Sequence, residues 1–461
     1  MATETPAVAL WAPLAWLPGG WRDNVLLRVA SDGRWAEVTA DVAMPPAEAQ
    51  VLAAPLLPAL VDAHSHAFQR AFAGAAERRE QASDDFWSWR ERMYAVASRI
   101  VPARLRAIAA QLYVELLRGG YTHVCEFHYL RRDRDGSDYA DPLAMSWALA
   151  EAAADAGIGL TILPVLYERF GFDAPLRENQ QRFRASAEET ATAARRIAAA
   201  ARPLVDAGLA IHSLRAASAE GIETLMSVAA DINGPIHVHV AEQTAEVDAC
   251  VRATGKRPIE WLATRGLDAR WQLVHATHAL PGEIDAVAAS GAGVVVCPGT
   301  EANLGDGLFD LPRWLASGVP LSLGSDSHVT RDWREELRLL EYGQRLARRE
   351  RNVAAAPELG QPSTAERLFV RMVAGSRAAT RRSAWGLVAG ARADALLVHA
   401  KDDALLGIDP RRSLDALVFS SPTSSWRDVM VAGRWVVREG RHAGATAIAE
   451  RFASALGELR S

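Results

Sequence analysis

The chain reads as a parallel (β/α)8 TIM barrel of the α/β class, with a small β-sandwich domain formed from both termini. Three observations predict this. Eight short β-type runs recur between residues 55 and 384, each followed by an Ala/Leu/Arg-rich stretch of helical periodicity. Strands alternating with helices build a parallel sheet, and eight such units close a barrel. Outside that unit, residues 1–54 and 385–461 change texture to short alternating strands and turns, such as GLVAGARADALLVHA and DVMVAGRWVVREGRHA. The competing open, doubly wound sheet is disfavoured because no G-x-G-x-x-G turn follows an early strand.

In chain order the eight runs are APLLPALVDAHSH, YTHVCEFHY, IGLTILPVLY, GLAIHSLRA, PIHVHVAEQ, WQLVHATHA, GAGVVVCPGT and VPLSLGSDSH. RLRAIAAQLYVELLRGG and EETATAARRIAAAARPLVDAG are typical of the helical segments between them. The predicted division is a sandwich domain over 1–54 and 385–461 around a barrel over 55–384. A stretch from about 67 to 103, including DDFWSWRERMY, is long for a βα loop and rich in aromatics. Loops of that length in compact domains are functional or disordered, and the aromatic content predicts a packed lid.

Composition narrows the function. The 461 residues are 49% hydrophobic with a net charge of −5 and no long basic block, so neither nucleic acid nor a membrane surface is an expected partner. No apolar run approaches a membrane span, and the N-terminus, interrupted by Pro6, Pro13 and Pro18, reads as an edge strand and not a signal peptide. Cys125, Cys250 and Cys297 are scattered and odd in number, which fits a reducing compartment and a cytoplasmic enzyme. Of the basic residues only Lys256 and Lys401 are lysines. Any mechanism that needs a lysine Schiff base or carbamate therefore has two candidates.

The chemistry starts at His64 and His66. A strand has period two, so both imidazoles leave on one face. In a barrel, side chains at the C-terminal strand ends share one mouth. Those ends supply His64 and His66, Tyr129, Tyr167 or Glu168, His212 and Arg215, His239 and Glu242, His275, and Asp326. The set is informative where a single strand histidine is not. His64, His66, His239 and Asp326 form a three-histidine, one-carboxylate metal site, suited to Zn2+, with Fe2+ or Mn2+ compatible by ligand type. Zinc lowers the pKa of bound water towards ~7. Glu242 lies close enough to the metal to serve as general base and then acid, Asp326 to share that duty, and His275 to hold the oxyanion. His237, His278 and His328 read as structural.

These residues resemble the amidohydrolase superfamily: D-A-H-S-H after strand 1, H-V-A-E-Q after strand 5, one His after strand 6 and G-S-D-S after strand 8. Its members pair the barrel with a small β-sandwich. Several branches bridge two metals with a carbamylated lysine after strand 4, where this chain has I-H-S-L-R. The resemblance therefore implies a mononuclear, deaminase-type site with one Zn2+ per subunit.

Within that superfamily the stretches H-S-H-A-F-Q-R-A, F-W-S-W-R, E-F-H-Y, H-S-L-R-A and H-V-H-V-A-E-Q look most like the branch that hydrolyses N-formimidoyl-L-glutamate to N-formyl-L-glutamate and ammonia in histidine degradation. The resemblance implies that Gln69, Arg90, Tyr129, His212 and Arg215 bind substrate and that Glu242 and His275 act in catalysis. Chemistry agrees, because a dicarboxylate amidine needs cationic forks at one end and an activated water at the other. Two alternatives stand beside this reading: a nucleobase or nucleoside deaminase on the same scaffold, and a catalytically inactive barrel that serves as a scaffold. A homodimer is the expected assembly.

Overall fold

The computed structural model describes residues 8–79, 85–421 and 426–460. Outside the described residues lie 1–7 of the expected N-terminal edge strand, 80–84 of the expected lid, and 422–425 and 461 of the C-terminal segment. Eight parallel strands form the barrel: β1 (Leu60–Ser65), β2 (Tyr121–His128), β3 (Gly159–Leu166), β4 (Leu209–Ser213), β5 (Ile236–Val240), β6 (Trp271–His275), β7 (Gly293–Val296) and β8 (Leu321–Leu323). Each pairs with the next, and β8 pairs with β1 to close the ring. Every β2 and β3 residue is buried, as expected where helices cover the outer face and the ring encloses the inner one. The run LTILPVL is apolar for that reason.

The barrel seam is thin. Between β8 and β1 the ladder is the Leu323–Asp62 pair, continued by a bridge between Ser65 and Asp326. A side-chain staple replaces the missing ladder bonds: the buried Asp62 carboxylate accepts the Ser325 N–H at 2.8 Å and its hydroxyl at 2.6 Å. A Cβ on Gly324 would stand 2.6 Å from the His64 Cβ, so a residue without a side chain is needed where the two strands converge. The seam thus brings the H-S-H and G-S-D-S motifs side by side.

Strands from both chain ends form one nine-stranded sheet. Leu56–Leu57 lies between the N-terminal strand Ala9–Leu17, to which it is parallel, and Ala395–Leu397, to which it is antiparallel. Leu10, Val25, Leu27, Trp35, Leu56, Leu397 and Met430 make its separate core. A buried ion pair bolts this sheet to the barrel floor. The Arg392 guanidinium meets Asp394 and donates to the Thr122 carbonyl (3.0 Å), with its Nη1 3.0 Å from the His123 Nδ1. Asp394 accepts in turn from the Thr122 hydroxyl at 2.7 Å. Replacing Arg392 by Met leaves a buried carboxylate without its charge partner, and stability falls by roughly 3–5 kcal/mol. Urea unfolding monitored by circular dichroism checks this.

Two helices position the site. Helix α1 (Phe86–Ala97) opens on Asp85, whose carboxylate accepts the Trp87 and Ser88 N–H groups, and it buries Arg90, Met93, Tyr94 and Ala97, the spacing of one helical face. Arg182, itself buried, donates to the carbonyls of Ala97 and Ile100 and ties down the C-terminal end of α1. Helix α2 (Pro102–Arg118) packs against β2 and against the C-terminal helix α3 (Ala445–Arg460). The strand-and-turn texture of residues 385–461 did not foreshadow α3. It forms because Ile448, Phe452, Ala455 and Leu459 recur at helical spacing and bury against the barrel. Among the described residues no helix is long and apolar enough to cross a membrane.

Candidate active site

The C-terminal ends of the barrel strands open into a cavity continuous with solvent. His66, Gln69, Arg90, Tyr129, His212, Arg215, His239, Glu242, His275 and Asp326 all line it, and His64 lies fully buried beneath. These residues, read from the sequence, therefore converge on one place. Tyr167 lines the cavity too. Glu168 does not: its carboxylate accepts from the Ser218 N–H and hydroxyl at 2.8 and 2.9 Å and holds the start of the following helix. His237 lies under the site with its Nε2 3.2 Å from the Ala379 carbonyl, His278 bonds the Asp306 carbonyl, and His328 meets Ser325.

The backbone bends to aim these side chains. Ala241, His275, Ala276 and Asp326 follow or end their strands with φ of 52°, 69°, 50° and 48°. Left-handed non-glycine residues are costly and persist where the surroundings enforce them, often at functional sites. Here they turn Glu242, His275 and Asp326 towards the mouth.

Three imidazoles meet at one point. The His64 Nε2 is 3.1 Å from the His66 Nε2 and 3.0 Å from the His239 Nε2, and Asp326 Oδ1 lies 3.6 and 3.4 Å from the His64 and His66 nitrogens. His66 donates from Nδ1 to the Phe127 carbonyl (3.1 Å), and His239 from Nδ1 to the His212 carbonyl (2.8 Å). Their Nε2 lone pairs therefore face inwards, the tautomer that metal-bound histidines adopt. Burial, reinforced by neighbouring histidines, pushes His66 down to about 3 and His64 and His239 well below the ordinary range, so all three are neutral. Electron-rich donors this close repel unless a cation lies between them. The donor set fits a divalent ion bound by nitrogen and oxygen.

Beside that cluster, His275 Nε2 is 3.7 Å from both Glu242 Oε1 and Asp326 Oδ2. Burial, with Asp326 and Glu246 adding repulsion, raises the Glu242 carboxyl to about 7, against the pull of His275. A group poised there exchanges protons readily at neutral pH. Glu246 accepts the Ala241 and Glu242 N–H groups at 3.2 and 3.0 Å and so fixes the turn that presents Glu242.

Two buried carboxylates escaped the sequence reading. Glu301 Oε1 accepts from His275 Nδ1 (3.2 Å) and from the Cys297 N–H (2.9 Å), orienting the ring. Glu126 accepts from the Ser65 hydroxyl and the Ala67 N–H, each at 2.7 Å, and shapes the turn after His64. For Glu126 the signal is a carboxylate inside a β-type run, YTHVCEFHY, that the barrel must bury, since burying it costs several kcal/mol unless it is bonded.

At the cationic side, Arg90 is only 5% exposed, yet its Nε and Nη1 have no hydrogen-bond partner. Its guanidinium carbon stands 4.5 Å from the Trp87 ring centroid, 5.1 Å from Phe170 and 5.6 Å from Tyr94. Arg215 lines the same cavity and spends one nitrogen on the Phe170 carbonyl. Gln69 Nε2 donates to the Tyr129 hydroxyl at 3.3 Å.

A barrel with a histidine–aspartate cluster at its mouth defines a class: the chain belongs to the amidohydrolase family, whose model matches residues 56–436. It is a hydrolase acting on C–N bonds, and the family generally binds a divalent metal. More narrowly, the chain is 45% identical over 457 residues to formimidoylglutamate deiminase of Pseudomonas aeruginosa, an alignment covering 98% of this chain and 99% of that protein. Among solved structures it is similar to an amidohydrolase from Brucella melitensis, with 39% identity, a TM-score of 0.93 and coverage of 98% of this chain and 100% of that one. A 5-methylthioadenosine/S-adenosylhomocysteine deaminase of Natronomonas pharaonis is more distant, 29% identical over 67% of each chain. Atrazine chlorohydrolase from Arthrobacter aurescens, crystallised with zinc, shares the fold at 19% identity, a TM-score of 0.84 and coverage of 97% of this chain and 100% of that one.

Proposed function

We propose that the chain hydrolyses N-formimidoyl-L-glutamate to N-formyl-L-glutamate and ammonia in histidine degradation. The observation that carries this reading is Arg90, a buried guanidinium that lines the same cavity as the histidine cluster and has two nitrogens without a hydrogen-bond partner. A buried cation without a partner is costly and waits for an anion. A dicarboxylate supplies one, whereas a neutral nucleobase leaves Arg90 unpaired. The similarity to the Pseudomonas deiminase supports the same choice.

In this reading His64, His66, His239 and Asp326 hold one Zn2+ per subunit. Zinc so held supplies a water of lowered pKa and a Lewis acid beside the formimidoyl group. Arg90 and Arg215, with Gln69, Tyr129 and His212, bind the two carboxylates and fix the formimidoyl carbon over the cluster. Glu242 takes one proton from the water as it attacks and the second as the carbonyl forms, and it delivers both to the terminal nitrogen. The carbon–nitrogen bond then breaks, ammonia departs, and the oxygen stays on carbon as the formyl group. His275, held by Glu301, stabilises the charge that develops on that oxygen, and Asp326 shares the proton with Glu242. The reading takes the enzyme as cytoplasmic, supported by three free, buried cysteines. It takes the assembly as a homodimer, on the prevalence of twofold dimers.

The test is ammonia release from N-formimidoyl-L-glutamate by zinc-loaded protein, with a chelated sample alongside. Turnover that stops on chelation and returns with zinc is the expected result. Zinc-loaded protein that ignores this compound but releases ammonia from nucleobases overturns the reading.

A further inference from the structure

The two cavity arginines are tied to each other through a third residue. After β3 the chain makes a short strand, Arg169–Gly171, whose mount is rigid. The N–H groups of Glu168 and Arg169 both donate to the Ala216 carbonyl, at 2.8 and 3.1 Å. The Arg169 guanidinium donates to the carbonyls of Phe172, Leu214 and Ala217 at 2.9 Å each and of Arg215 at 3.2 Å. Phe170 is therefore fixed against the turn that follows β4 and carries Arg215.

From that mount Phe170 touches both cations. Its ring centroid lies 5.1 Å from the Arg90 guanidinium carbon and 3.7 Å from that of Arg177. Its carbonyl accepts Arg215 Nη1 at 2.8 Å. The choice of partners matters. A carboxylate beside Arg90 would consume the N–H groups a ligand needs, whereas an aromatic face attracts the cation through its quadrupole and leaves those donors free. The carbonyl takes a single donor from Arg215 and adds no negative charge to compete with an anionic ligand. Arg90 belongs to α1 and Arg215 to the β4 turn, so Phe170 joins two separate elements at the point where their charges must be spaced.

We propose that Phe170 is a positioning residue that sets the placement of Arg90 relative to Arg215, and with it the affinity for the dicarboxylate end of the substrate. This rests on the substrate reading above, so the experiment has one arm that needs no substrate. The full-length, zinc-loaded protein is compared with Phe170→Leu, which keeps the carbonyl and removes the π face, and with Phe170→Tyr, which restores that face. Hydrogen–deuterium exchange over residues 85–97 is followed without ligand, and steady-state kinetics are measured with N-formimidoyl-L-glutamate.

The expected result for Phe170→Leu is faster exchange across α1 by roughly fivefold or more and a KM raised about tenfold, the scale of a desolvated cation–π contact, with kcat within about twofold. Phe170→Tyr is expected to return both readouts to within about twofold of the parent. Unchanged exchange over 85–97 together with an unchanged KM overturns the proposal. So does a fall in kcat with KM untouched, or a failure of Tyr to rescue. If the parent protein does not turn over this substrate, the substrate reading fails on that result alone, while the exchange arm still decides the role of Phe170.

Discussion

Glu242→Gln is expected to lower kcat by about 10²–10⁴-fold while zinc content and KM stay near the parent values. The substitution is nearly isosteric, so the Glu246 carboxylate still holds the turn at residues 241 and 242. What disappears is a group that gives and takes a proton. Burial raises the Glu242 carboxyl to about 7, which suits it to both halves of the reaction at neutral pH. Asp326 and His275 are its nearest competitors, but Asp326 Oδ1 faces the histidine nitrogens and His275 Nδ1 is committed to Glu301. Steady-state kinetics with metal analysis of the same sample check the expectation. A loss below tenfold would move the proton transfer to Asp326.

Arg90→Met is expected to act in the opposite way on the two quantities most often confused. Charge-assisted hydrogen bonds are worth about 1.5–3 kcal/mol each, so losing two of them lowers kcat/KM by roughly 10²–10⁴-fold, mainly through KM. The free protein should not lose stability. Arg90 is buried among aromatic rings with two N–H-bearing nitrogens unbonded, and burial draws its pKa down. Methionine fills similar volume without that desolvation cost, which offsets the cation–π contacts given up to Trp87, Tyr94 and Phe170, so the melting temperature is expected to hold or rise slightly. Thermal unfolding of the ligand-free protein, set beside the kinetics, tests both halves. A melting temperature lowered by many degrees would show Arg90 to be a structural cation.

The pairing of a functional gain with a stability cost recurs around the mouth. Left-handed backbone at His275 and Asp326 and three converging imidazole lone pairs each cost free energy in the unliganded chain. The seam staple of Asp62 and Ser325 and the Arg392–Asp394 bolt lie below and hold the strands that carry this strain.

The sequence by itself determined the barrel and the histidine–aspartate cluster at its mouth, with its order along the chain. Strand periodicity of two puts His64 and His66 on one face, and strand ends in a parallel barrel share one mouth, so local pattern and chain order sufficed. The family resemblance, with I-H-S-L-R where other branches carry a lysine after strand 4, also implied a site without a carbamate bridge. Only the tertiary structure decided which charges are buried and what they touch. Arg90 in F-W-S-W-R reads equally well as a solvated helix charge; it is a buried cation because rings, among them Phe170 from a segment eighty residues away, cover it. Glu301 and Glu126 look like ordinary acids until β6 and β1 bring His275 and Ser65 against them. The physical reason is the same in each case. Periodicity fixes the direction of a side chain within its own element, whereas desolvation and hydrogen bonding depend on atoms that the fold supplies from distant parts of the chain.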